Sequence, residues 1–206
     1  MMKLYWGPHT CAIGIHVLLE EAAADYETCQ IDVAGGATHE PEFLAVNPKG
    51  KVPTLVLDDG AVLTEFGAIA IWLARKYPKA NLVPEDPEGE ARATEMLEYV
   101  EGTIHGQGFG RLFKPQAFDP TGQGKALVES QAREMIGKAF AIVDRQLAGR
   151  AYAAGQSFTI ADAALFYVER WAPQKNISLP SGVEAHFRGM LKRPSVQKVR
   201  KIWGEE

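Results

Sequence analysis

Cys11, His105, Glu65 and the run Asn47-Pro48-Lys49-Gly50-Lys51-Val52-Pro53 are the residues of this chain whose types and placing suit chemistry. Cys11 follows Gly7-Pro8-His9-Thr10 directly, at the start of an apolar helical stripe. A thiol at a helix N-terminus feels the positive end of the dipole, which favours thiolate, the form that attacks electrophiles and disulfides. Pro53 opens a short strand and cannot give an N–H to a sheet, so it belongs at a strand start, an edge or a bulge. A cis Val52-Pro53 bond would turn the Val52 N–H and C=O outward, where an extended peptide laid alongside can pair with them. A few residues on, Thr64-Glu65-Phe66-Gly67 opens a helix whose first amides favour a carboxylate. The expectation is a grip on both the backbone and the end of a short peptide, beside a sulfur centre. His105 ends a helix with an apolar stripe on its other side and suits either a site role or a structural one. His9 and Cys11 lack the second matched pair that a metal site needs, so no metal is expected.

The elements that must position these residues follow from periodicity. Lys3 to Trp6 reads as a strand broken by Gly7-Pro8, and Ile15, Leu18, Leu19 and Ala22 stripe one helix face. Tyr26 to Val33 alternates, with Cys29, Ile31 and Val33 on the inward side. A glycine-rich loop or frayed helix then leads to two strands, Thr54 to Leu57 and Ala61 to Leu63, joined by the hairpin signal Asp58-Asp59-Gly60. Phe66, Ile69, Ala70, Leu73 and Tyr77 stripe a closing helix, and the order βαβ then ββα predicts a thioredoxin-like domain. Its expected extent is residues 1–78, followed by a proline-bearing linker at 79–88 and an all-helical domain over 89–206. In that second part, Gly106 to Gly124 is expected to form a bend and loop. Thr159-Ile160-Ala161-Asp162 is expected to cap an apolar helix structurally.

Bulk properties narrow the function classes. A net charge of −4 gives the whole molecule no field to recruit nucleic acid. The basic cluster Lys192, Arg193, Lys198, Arg200 and Lys201 reads as the solvated face of a last helix. No run of apolar residues is long enough to span a membrane, no signal-peptide core follows the N-terminus, and two cysteines make no disulfide framework. These features imply a cytoplasmic protein with neither nucleic acid nor membrane as partner.

Over essentially its whole length the chain resembles a cytosolic glutathione transferase, most like the bacterial beta class. The resemblance is carried by Pro8-His9-Thr10-Cys11, Asn47 to Pro53, Leu57-Asp58-Asp59-Gly60, Thr64-Glu65, His105 and Phe158-Thr159-Ile160-Ala161-Asp162-Ala163. It implies the α/β thioredoxin-like N-terminal domain plus all-α C-terminal domain of that architecture, a homodimer, a detoxifying role, and glutathione as co-substrate. It implies catalytic roles for Cys11 and His105 and glutathione contacts at Lys51, Val52, Pro53, Glu65 and Phe66. A second-substrate pocket is implied at His9, Thr10, Phe109, Phe113 and Trp171, where a hydrophobic electrophile would be conjugated. Two alternatives share these residues: thiol–disulfide exchange through Cys11, and a ligand-binding or regulatory protein without turnover. The sequence departs from the family pattern in several places. Phe66 stands where serine or glycine is usual, Trp6 where a tyrosine is usual, and Ala12 where a serine is common. Basic residues are absent near Gly35-Gly36 and at Gly106. Fewer contacts imply a modest affinity for glutathione.

Overall fold

In the computed structural model, which describes residues 1–205, the chain divides into two compact units. One is Met1–Val83 together with the segment from Lys192 onward; the other is Pro84–Leu191.

The first unit is built on a four-stranded sheet in the order β2-β1-β3-β4, made of β1 (Met2–Trp6), β2 (Tyr26–Gln30), β3 (Thr54–Val56) and β4 (Val62–Thr64). β1 runs parallel to β2 and antiparallel to β3, and β3 pairs antiparallel with β4. Met2, Leu4 and Trp6 point into the core while Lys3 and Tyr5 are half-buried, the period-2 signature of a strand with one covered face. The Asp58-Asp59-Gly60 turn closes the β3–β4 hairpin, with Gly60 at φ 85° and the Leu57 amide donating to the Ala61 carbonyl at 2.8 Å. β2 ends at Gln30, short of the expected Val33. Past it, Asp32 Oδ1 accepts from the Gly35 amide and the Asp32 carbonyl from the Ala37 amide, so the chain turns.

Helix α1 (Ala12–Glu21) has no exposed side: residues 12–19 are all buried. It packs against α3 (Phe66–Lys76), β1 and α9 (Pro194–Ile202). A short helix α2 (Pro41–Leu44) occupies the loop between β2 and β3. The basic face of α9 is not simply solvated. Arg193 makes two bonds to Glu21, at 3.0 and 2.8 Å, and Lys198 lies 2.7 Å from Glu20.

The second unit holds α4 (Pro87–Glu98), α5 (Gly110–Phe113), α6 (Lys125–Gln146), α7 (Ile160–Gln174) and α8 (Ser181–Leu191). Every residue of α7 from Ile160 to Ala172 is buried, in line with a pattern apolar on most sides, and the buried set includes Asp162, Glu169 and Arg170. Its start is a complete capping box. Thr159 Oγ1 accepts from the Ala161 amide and Asp162 Oδ2 from the Thr159 amide at 2.7 Å. Asp162 also accepts from the Ala153 amide at 2.7 Å and from His186 at 3.0 Å. The other ring nitrogen of His186 lies 2.8 Å from Glu169. Burial disfavours a charge on His186, but Glu169 and Asp162 outweigh it and raise its pKa from 6.5 to about 10, so the ring is an imidazolium at neutral pH.

Beyond α4 the helix does not bend at Gly106. It continues as a π-helical segment, Tyr99–Phe109, that leads straight into α5. Of these glycines Gly108 serves close packing: a Cβ on it would lie 2.6 Å from Ile136 Cγ1 of α6. Among the described residues, no helix is long and apolar enough to cross a membrane.

Candidate functional site

On the first unit the site begins with the turn between β1 and α1. A Cβ on Gly7 would stand 2.4 Å from Val33 Cγ2, so the chain can leave the sheet this closely only without a side chain. The Thr10 hydroxyl and amide both donate to the Gly7 carbonyl, at 2.7 and 3.3 Å, and His9 projects at φ 60°, exposed. Cys11 follows as the N-cap of α1, 9% exposed, with its Sγ 3.8 Å from the Val52 carbonyl oxygen. Two residues 41 apart in sequence, singled out for separate reasons, are thus neighbours.

The Val52-Pro53 bond is cis. The loop before it is stapled from within by Asn47, which is 1% exposed. Its Nδ2 donates to the Lys51 carbonyl at 2.8 Å and to Thr54 Oγ1 at 2.9 Å, and its Oδ1 accepts from the Lys49 amide at 3.1 Å. Thr54 Oγ1 donates to the same Lys51 carbonyl at 2.8 Å. The Lys51 carbonyl is thereby fixed by two donors, while its side chain is exposed. Gly50, at φ 62°, lets the loop pass close to His39.

Glu65, the N-cap of α3, sits at φ 69° and ψ 128°, a conformation unusual for a residue with a Cβ. Phe66 is 3% exposed, so its ring belongs to the core and only its backbone can serve the site. Lys49, in the run singled out from the sequence but assigned no contact there, bonds Glu65 and Thr64 together, each at 2.8 Å. No short-range signal marks Lys49: the contact closes over 15 and 16 residues. Asn47 heads the same run, and its stapling role had a local signal, since an Asn ahead of a turn commonly bonds the backbone two residues on.

On the second unit, His105 lies on the π-helical segment. Its Nδ1 is 3.2 Å from the Tyr167 hydroxyl and its ring meets Trp171 edge-on at 4.8 Å. Phe109 and Phe113 stack at 5.9 Å, both also packing on Trp171, and Lys175 Nζ lies 4.8 Å above the Phe113 ring. The expected residues His105, Phe109, Phe113 and Trp171 thus form one aromatic group, to which the structure adds Tyr167. Insertion of π turns is common where helices build functional sites. Phe109 and Tyr167 are fully buried, whereas Phe113 is 39% exposed and forms the accessible edge. Two surface cavities of this unit, of about 480 and 570 Å³, are lined by none of these residues.

Comparison with known proteins bears on both units. The glutathione S-transferase N-terminal domain family matches residues 10–76, and the glutathione S-transferase C-terminal domain family matches residues 67–194. The chain is 36% identical over 201 residues to the glutathione S-transferase GstA of Escherichia coli O157:H7, covering 95% of this chain and 96% of that one. Among solved structures it is similar to a glutathione transferase homolog from Sulfitobacter with bound glutathione, with a TM-score of 0.92 and 29% identity over 98% of both chains. It is also similar to the bacterial beta class glutathione S-transferase of Sphingomonas chungbukensis, with a TM-score of 0.83 and 29% identity over 99% of this chain and 100% of that one. With the N-terminal family matched over residues 10–76, the C-terminal family over 67–194, and a relative 36% identical across 95% of this chain's length, the chain belongs to the glutathione S-transferase family.

Proposed function

We propose that glutathione lies extended along the Val52 edge, with its sulfur near Cys11 and its γ-glutamyl end at Glu65 and the Phe66 amide. The observation that carries this reading is the 3.8 Å approach of Cys11 Sγ to the Val52 carbonyl, which joins the sulfur end of such a site to its backbone edge. Pro53 contributes by its shape, and Lys51 by the carbonyl that Asn47 and Thr54 hold. Cys11 Sγ, 3.8 Å from the Val52 carbonyl, stands as a neighbour of the glutathione sulfur, and the attacking sulfur is glutathione's own thiolate. That sulfur forms a bond to an electrophilic carbon. The electron pair leaves with a departing group or is taken up as a carbanion that a proton from water quenches. His105 acts on the sulfur or the leaving group, and the aromatic group of Phe109, Phe113 and Trp171, with His9 and Thr10, receives the apolar body of the electrophile. A homodimer, a cytoplasmic location and a detoxifying role complete the proposal, as the family resemblance implies.

Titration calorimetry with reduced glutathione tests it. Saturable heat at one site per chain, lost in Glu65→Ala, is the expected result. The absence of saturable heat up to several millimolar would sink the reading, since working affinities of enzymes for their substrates rarely lie above about 1 mM.

A further inference from the structure

Trp203, just past α9, contacts both flanks of the segment that carries Cys11. α9 is anchored at the far end of α1, where Glu21 accepts from Arg193 and from the Ser195 hydroxyl, and Glu20 from Lys198 and from the Tyr26 hydroxyl. From that anchor α9 delivers Trp203, 7% exposed, onto two other residues of the same unit. Its ring stacks on Trp6 with centroids 4.3 Å apart and planes 22° from parallel. Its Nε1 donates to His16 Nδ1 at 2.9 Å. Trp6 is the last residue of β1, directly ahead of Gly7, and His16 lies on α1 five positions past Cys11. One side chain therefore touches both flanks of the segment 7–15. An indole N–H only donates, so His16 must accept at Nδ1 and keep its proton on Nε2. His16 is fully buried, and it is neutral because burial, the largest influence, drives its pKa down to about 4.

We infer that Trp203 is a positioning residue for the Gly7–Cys11 turn, acting through Trp6 and His16. A tryptophan stacked on one flank of the segment 7–15 and hydrogen-bonded to the other limits how far that segment can open, and so how far the Cys11 sulfur can move from the Val52 edge. The role depends on the proposed glutathione site for its catalytic meaning. Its physical content is the closure of the turn, which can be read without glutathione.

The experiment is alkylation of the full-length protein by iodoacetamide, with the rates at Cys11 and Cys29 followed separately by peptide mass spectrometry. Trp203→Phe keeps a stacked ring and loses the hydrogen bond. It is expected to raise the Cys11 rate about fivefold, the effect of one neutral hydrogen bond on a local opening, and to leave Cys29 unchanged. His16→Leu is expected to match it. His16→Asn keeps an acceptor near the Nδ1 position and is expected to stay within about twofold of the parent. An equal rise at both cysteines means general loosening and overturns the inference. So does a Cys11 rate within about twofold of the parent in both Trp203→Phe and His16→Leu. A failed glutathione titration combined with the expected alkylation pattern removes the proposed function and leaves the positioning role standing.

Discussion

Lys49 Nζ stands 2.8 Å from Glu65 Oε1 and 2.8 Å from Thr64 Oγ1, tying the loop before Pro53 to the start of α3. Both members of the ion pair are more than half exposed, at 52% and 63%, so the pair contributes little to stability and leaves Glu65 reachable.

Glu65→Ala is therefore expected to change the unfolding free energy by less than about 1 kcal/mol. The same substitution is expected to weaken glutathione binding by about 1.5–3 kcal/mol, tenfold or more, because it removes a charged partner of the ligand. Urea unfolding and calorimetry on the same preparation separate the two effects. A loss of stability matching the loss of affinity would assign Glu65 to structure rather than to the ligand.

Cys11→Ala distinguishes the two sulfur chemistries. If glutathione's own thiolate attacks, conjugation of a halogenated aromatic substrate should stay within about tenfold of the parent, since the alanine removes a neighbour and not the nucleophile. Glutathione-dependent reduction of a mixed disulfide should disappear, because that reaction forms and breaks a bond to Cys11 itself. Conjugation lost together with exchange would make Cys11 indispensable to both.

His105→Ala is expected to lower kcat/KM by about 100-fold if the imidazole transfers a proton in the transition state. Tyr167→Phe removes the hydroxyl 3.2 Å from His105 Nδ1 and should give a smaller loss, with stability lowered by about 1 kcal/mol for the deleted hydrogen bond. Initial rates with both substrates varied and thermal unfolding check the pair.

Two buried histidines give the protein opposite pH sensitivities. For His186, burial lowers the pKa, yet Glu169 and Asp162 outweigh it and raise the value from 6.5 to about 10. The stability it contributes is complete below pH 6.5 and is lost as pH rises towards 10. Burial raises the Glu169 pKa despite the opposing pull of His186, so ionising that carboxyl with rising pH acts in the same direction. His16 is the reverse case: its contribution is complete above pH 6.5 and is lost as pH falls towards 4. Each full proton of linkage changes stability by about 1.4 kcal/mol per pH unit. Urea unfolding from pH 4 to 10 is expected to show a maximum near neutrality. His186→Gln should flatten the alkaline side and His16→Asn the acid side; slopes unchanged in both variants would refute the assignment.

Much of the fold was legible because its signals are local. The stripe Ile15, Leu18, Leu19, the Asp58-Asp59-Gly60 hairpin and the Thr159–Asp162 capping box each need only a short window of sequence, and each appears in the structure where it was read. The misreadings arose where a local signal met a tertiary demand. The stretch Gly106 to Gly124 promised a bend and loop, yet the helix runs on through π turns to Phe113, with Gly108 close against Ile136, and the loop comes only after it. Val33 continued the alternation of β2, but Asp32 captured the Gly35 amide and ended the strand.

By itself the sequence determined the element types, the family to which they belong, and the residues with the chemistry to serve sulfur and a peptide end. Only the tertiary structure decided which of these residues meet. It set Cys11 beside Val52, Lys49 on Glu65, Tyr167 on His105, and Trp203 across Trp6 and His16. Propensity and periodicity act over a few residues, whereas these contacts close over 16 to 197 residues. At such separations, packing shape and burial select the partner, and no local pattern encodes it.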